Sequence, residues 1–144
     1  MTAILITEAT EAADRDACYG VRTAVFCDEQ GVPAEIEFDG LDDRCRHYLA
    51  RIGRIAVGTA RVRPLGGGQV KFERVAVLRT HRRAGIGLAL MERALAGARS
   101  DGHRHALLHA QTHAGEFYRR LGFRQEGEGF MEAGIPHIRM SMAL

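Results

Sequence analysis

A chain of 144 residues with 46% apolar and 26% charged content fits one globular domain, residues 1–144, with one core. Twenty Lys and Arg against 18 Asp and Glu leave a formal charge of +2, which argues against the concentrated basic face of a nucleic-acid binder. Cys18, Cys27 and Cys45 are odd in number and form no C-x-x-C pair, which points away from a disulfide framework or zinc knuckle and toward a reduced, cytoplasmic setting.

The opening MTAILITEAT has no basic n-region and no long apolar core, so no signal peptide is expected. No apolar run approaches the ~20 residues of a membrane span, and no membrane partner is expected. Ala3 to Ile6 reads as a first strand. Ala12 to Glu29 reads as one helix, with Ala13, Ala17, Val21, Val25 and Phe26 on its buried face, stopped by Gly31-Val32-Pro33. The acidic stretch from Glu35 through Asp43 reads as loop. His47–Ile52, Ile55–Arg63 and Val70–Val77 read as strands, joined by short turns at Gly53 and Gly66-Gly67-Gly68 that make antiparallel neighbours.

The period then changes. From Gly85 to Arg99, Ile86, Leu90, Ala94 and Ala98 fall in one row, which predicts an amphipathic helix. Ala106–Ala110 reads as a strand and Gly115–Leu121 as a short helix closed by Gly122. Phe123–Phe130 and His137–Met142 read as a last hairpin. The expected order is β-α-β-β-β-α-β-α-β-β, a mixed α/β (α+β) sheet with helices on its faces. Val70–Val77 and Ala106–Ala110 should run parallel across their crossover helix.

The segment with most chemical content runs from Arg74 to Gly87. A Val75-Ala76-Val77 strand ends, a basic turn follows, and a helix opens through Arg82-Arg83-Ala84-Gly85-Ile86-Gly87. A helix N-terminus offers unpaired N–H groups and partial positive charge to a phosphate. Gly85 and Gly87 let an anion approach the backbone, and Arg82 and Arg83 add forked donors. The same residues also suit a plain glycine turn with solvated arginines. No Lys-Ser/Thr follows the second glycine, so this is not a P-loop.

This R-x-x-G-x-G arrangement resembles the acetyl-CoA loop of the GNAT superfamily of N-acetyltransferases. A second block, Gln111 to Phe123, is similar to that family's N-x-x-A-x-x-x-Y-x-x-x-G-F, with Gln111 where asparagine is more usual. Arg22-x-x-Val25-Phe26-x-x-Glu29-Gln30-Gly31-Val32-Pro33, Glu37-x-Asp39, His47 and Gly134-Ile135-Pro136-His137-Ile138 resemble the ElaA-like branch. The resemblance implies a GNAT-like acyl-CoA N-acyltransferase fold and acetyl-CoA as cosubstrate, with no metal. Val75, Ala76, Val77 and the Arg82–Gly87 loop would hold the cosubstrate, with Gln111 beside them. Glu29, Glu37, Asp39 and His137 would face the acceptor, a small-molecule or peptide amine.

Acetyl transfer needs the amine deprotonated, the thioester carbonyl polarised and the leaving thiolate protonated. The resemblance assigns the last task to Tyr118, whose phenol has a plausible pKa for it; Tyr118 also suits a core position beside Phe117. A backbone N–H near Val75 would polarise the carbonyl. The base stays open between Glu73, expected on one strand face with Val75 and Val77, and His109 and His137. The acidic Glu35–Asp43 stretch is either a solvated loop or a cleft mouth that attracts a cationic amine. Rival readings are a non-catalytic acyl-CoA-binding module, an acyl-homoserine-lactone synthase and a nucleic-acid binder using Arg82, Arg83, Arg119 and Arg120. A final strand that can pair across a dimer leaves a homodimer open.

Overall fold

The computed structural model describes residues 3–144. Seven strands form one sheet: β1 (Ile4–Glu8), β2 (Arg46–Ile52), β3 (Ile55–Gly66), β4 (Gln69–Val77), β5 (His105–Gln111), β6 (Arg124–Glu132) and β7 (Ile135–Ala143). Their spatial order is β1-β2-β3-β4-β5-β7-β6. The helices are α1 (Ala12–Arg22), α2 (Ala34–Glu37), α3 (Ile86–Ser100) and α4 (Gly115–Leu121). β4 and β5 pair parallel across α3, and the other pairs are antiparallel, as the short turns and the crossover helix dictate. This is the expected mixed α/β order, with α2 added. No helix among the described residues is long and apolar enough to cross a membrane.

One face of the sheet is apolar. Val70 and Phe72 of β4, Ala106 and Leu108 of β5 and Met140 of β7 pack under Ile86, Leu90, Met91 and Ala94 of α3. Close approach is built in: a Cβ on Gly58 would lie 2.9 Å from Leu90, so glycine is needed where α3 crosses β3. The opposite face is covered by α1 through Cys18, Leu49, Val21, Val25 and Ala76, and further along it turns polar.

Three expectations change. The helix from Ala12 does not keep one geometry to Glu29. It widens into a π-helix over Thr23–Glu29, with Gln30 N–H bonded to the Val25 carbonyl. β-branched Thr23 and Val25 fit an α-helix poorly, and wide turns recur beside functional sites. Ala13 is exposed, whereas Arg22, at the junction, is fully buried. The acidic stretch is not plain loop, because it forms α2 and a 3₁₀ turn at Asp42–Arg44.

The third change concerns β4. Arg74 has φ +55, and the β3–β4 register slips between Thr59 and Arg61. This is a β-bulge, and the extra residue inverts the alternation beyond it. Val75 and Val77 therefore join the α3 face, while Glu73 and Ala76 face α1. The expectation that Glu73 shares a face with Val75 and Val77 is overturned by that single residue.

Candidate active site

The β4–β5 ladder stops at the pair Phe72–Leu108. Beyond it the strands part, because β4 keeps its pairing with β3 to Val77 while β5 follows β7 to Gln111. The gap opens a cavity of about 590 Å³, lined by Val75, Ala76 and Val77 on one side and His109, Ala110 and Gln111 on the other.

Beside it lies the loop that starts α3. Arg83 (φ +63) and Gly85 (φ +80) are left-handed, and no side chain caps the helix. A Cβ on Gly85 would meet nothing within 4 Å, so the loop is open to a ligand. Gly87 is different: a Cβ there would lie 3.5 Å from Phe117, so this position also serves packing. A 15-residue helix with an uncapped start and two left-handed residues before it presents N–H groups of the kind a pyrophosphate needs. Arg82 is engaged already. Its Nη1 and Nη2 each donate to Glu29 at 2.6 Å, and its Nε donates to the Val77 carbonyl at 3.1 Å. Glu29, expected to face the acceptor, is instead paired with Arg82 at the loop that starts α3.

Gln30 was not singled out from sequence. Gln111 Nε2 donates to Gln30 Oε1 at 2.8 Å, and Gln30 Nε2 donates back at 3.4 Å. The π-helix therefore bridges to both arms of the gap, through Glu29–Arg82 and Gln30–Gln111.

Tyr118, His109, His137 and Glu132 also line the cavity. Tyr118 is 8% exposed, lines the cavity, and has its pKa raised by burial, so it is protonated at neutral pH. His109 Nδ1 lies 2.9 Å from Glu132 Oε1; a carboxylate only accepts, so Nδ1 carries the hydrogen of this bond. His137 Nδ1–H donates to the Ile135 carbonyl at 2.7 Å, and its Nε2 lies 3.6 Å from Glu132 Oε2. Phe130 meets His109 edge-on and stacks on His137. Glu132 was missed from sequence because it reaches His109 only through the β5–β7–β6 register.

The acidic residues are held by arginines. Arg22 binds Glu37 at 2.9 Å and Asp42 at 2.7 Å; Arg61 binds Asp39 and Asp42 at 2.9 Å each and also Glu73. Arg63 binds Glu73 at 2.6 Å, and Arg74 binds Glu37 at 3.0 Å. The Arg61 hydrogen bonds hold the Asp39 carboxyl well below its usual range. Burial alone would raise Asp42 and Glu73, but hydrogen bonds from Arg22 and Arg61 on the first, and from Arg63 and Arg61 on the second, leave both lowered. Glu37 goes the other way, raised by burial despite Arg74 and Arg22. Two expectations are corrected here. Glu37 and Asp39 do not offer a free acidic mouth, because guanidiniums neutralise them. Glu73 is a weak base, since its partners stabilise the carboxylate.

The comparisons agree with this geometry. The family described as acetyltransferase (GNAT) domain matches residues 8–144. The uncharacterized N-acetyltransferase YjcF of Bacillus subtilis is 42% identical over 127 residues, covering 88% of this chain and 89% of that protein. An acyl-CoA N-acyltransferase of Pseudomonas aeruginosa superposes with TM-score 0.84 at 32% identity, over 98% of this chain and 99% of the other. Escherichia coli ElaA gives TM-score 0.83 at 29% identity with the same coverage. Fold and comparisons together define an acyltransferase. The chain belongs to the GNAT acetyltransferase family, and it is a transferase enzyme.

Proposed function

We propose that this enzyme moves an acetyl group from acetyl-CoA to a primary amine by direct attack. The observation that carries the reading is the gap between β4 and β5, a cavity lined by Arg82 before the uncapped start of α3, by Tyr118 and by a His109–Glu132 pair.

The residues present fit acetyl-CoA. The Arg82–Gly87 loop would take the pyrophosphate, with Arg83, Ala84 and Ile86 giving backbone around open Gly85. Val75, Ala76 and Val77 would offer backbone groups to the pantetheine arm, since β4 lacks its β5 partner there. The thioester supplies an activated acyl carbon. His109 Nε2 takes the proton of the amine, and Glu132 stabilises the resulting imidazolium through Nδ1–H. Tyr118 gives its phenolic proton to the leaving thiolate, so each proton has a named destination. His137 flanks the acceptor. A cytoplasmic setting accords with three free cysteines. The nucleic-acid reading loses support because Arg82 is paired with Glu29, and Arg119 and Arg120 with Glu116.

Two variants test the reading. Gly85→Glu should abolish detectable CoA binding by calorimetry, whereas Gly85→Asn, which tolerates a left-handed backbone, should keep it. Tyr118→Phe should lower kcat by about 10²–10⁴-fold with CoA affinity unchanged. Equal CoA affinity for a folded Gly85→Glu protein sinks the loop assignment, and an unchanged kcat returns Tyr118 to a core role.

A further inference from the structure

The charges beside the cavity pair closely but do not balance. Five cations, Arg22, Arg61, Arg63, Lys71 and Arg74, share four carboxylates, Glu37, Asp39, Asp42 and Glu73. The surplus falls on Lys71. Each of the four carboxylates has a guanidinium within hydrogen-bonding distance. Lys71 Nζ has Glu73 at 3.7 Å, too far for a hydrogen bond. Its ammonium has three donors to satisfy, and its side chain is only 18% exposed, on the cavity wall. Lys71 is also the only lysine of the chain.

The negative surplus lies elsewhere. Among the described residues Glu132 pairs only with His109 and His137, and it lines the same cavity. The register fixes the relation between the two. Lys71 stands beside Leu107 on β5, and the next residue on that face of β5 is His109. Two residues along a strand span about 7 Å. Lys71, which has no hydrogen-bonded carboxylate among the described residues, and the His109–Glu132 pair are therefore near neighbours on one polar sheet face.

We infer that the acceptor is an amine that also carries a carboxylate, an amino-acid-like zwitterion whose carboxylate binds Lys71 while its amine faces His109 and Glu132. The inference rests on the acetyltransferase reading above and names its substrate class. A purely cationic amine would meet Lys71 as a like charge. A carboxylate a few bonds from the amine gives Lys71 the hydrogen-bonded anion it lacks, and Arg63, opposite Lys71 in the β3–β4 register, lies beside it. The ammonium meets the carboxylate of Glu132, from which His109 can take its proton.

The test uses the proteinogenic amino acids, each beside its carboxamide. Acetylation is read as CoA release, and binding to the CoA-saturated enzyme is read by calorimetry. At least one amino acid should exceed its carboxamide in kcat/KM by roughly tenfold, the size of one charge-assisted hydrogen bond. Lys71→Met should collapse that ratio toward one through KM, and Lys71→Arg should restore it. Turnover of carboxamides as fast as of amino acids overturns the inference and leaves the acetyltransferase reading standing. A ratio unmoved by Lys71→Met overturns it too. Preferential binding of an amino acid without any acetylation supports the zwitterion site and overturns the acetyltransferase reading. Absence of binding by every amino acid overturns the inference.

Discussion

β4 belongs to two different kinds of interior. Val70 and Phe72 enter a packed apolar layer under α3, while Lys71 and Glu73, between and beside them, enter a layer of paired charges. The first layer gains from removing apolar surface from water, needs no orientation, and holds the fold together. The second must desolvate every ion it contains, so its guanidinium–carboxylate pairs roughly offset their own cost. It fixes directions instead: Arg61 ties Asp39, Asp42 and Glu73 to one point, and Arg22 ties Glu37 to the start of the π-helix. One face supplies stability, and the other supplies a wall of set charge around the cavity.

The largest test of that contrast removes one member from each face. Arg61→Met removes the cation shared by Asp39, Asp42 and Glu73, leaving them to Arg74, Arg22 and Arg63 respectively, and should cost about 3–5 kcal/mol. Leu90→Ala opens a cavity under α3 and should cost about 2–5 kcal/mol. The two losses should part with pH. Lowering the pH toward 4 protonates carboxylates that have lost one of their cations and should recover part of the Arg61→Met loss in urea denaturation, with none recovered for Leu90→Ala. Parallel pH profiles for both variants refute the distinction.

The unmodified protein should behave in the opposite sense in acid. Asp39, Asp42 and Glu73 have lowered pKa values in the fold, so their contribution is present above about pH 4 and is lost as pH falls through the folded values. Glu37, raised by burial, offsets part of this. His47 adds a smaller effect in a separate window. It is 1% exposed, its Nε2–H donates to the Asp42 carbonyl at 2.8 Å, and its Nδ1 has no partner. Burial lowers its pKa despite Asp42 nearby, with Arg22 and Arg15 adding to the lowering. A lowered histidine contributes stability above about pH 6.5 that is lost as pH falls. His47→Gln, which keeps the donor, should flatten the loss between about pH 6.5 and 5. An unchanged slope there removes His47 from the account.

The smallest effect concerns the bridge between Glu29 and Arg82. Glu29 places a carboxylate beside the loop proposed to take the pyrophosphate, with its own pKa lowered by the Arg82 hydrogen bonds. Glu29→Gln should tighten CoA binding by about two- to fivefold. Weaker binding would show instead that Glu29 holds Arg82 in its working position.

The apolar face was legible in the sequence, and the charged one was not. The apolar strand Ala106–Ala110 and the row Ile86, Leu90, Ala94, Ala98 show which residues meet under α3, because apolar periodicity is local, whereas Val75 and Val77 join them only through the bulge. The glycine loop was legible for the same reason: strand, turn and helix start follow one another. Arg22 appears in the sequence only within the branch motif and Arg61 only inside a strand, and nothing nearby in sequence says that carboxylates 15 and 12 residues away will pair with them in the interior. The bulge at Arg74 has no glycine to announce it. Glu132 reaches His109 across 23 residues, and Gln30 reaches Gln111 across 81, distances that only the folded register closes.

That last pair links the histories of two positions. Asparagine is one methylene shorter than glutamine, so at position 111 its amide would stop short of Gln30, now 2.8 Å away. Neither glutamine can change alone without leaving the other's amide unmatched in a half-buried gap. Across related chains the two positions should therefore vary together, asparagine at the second travelling with a different partner at the first. The identity of residue 30 should thus sort this family into lineages even where the rest of the π-helix has drifted.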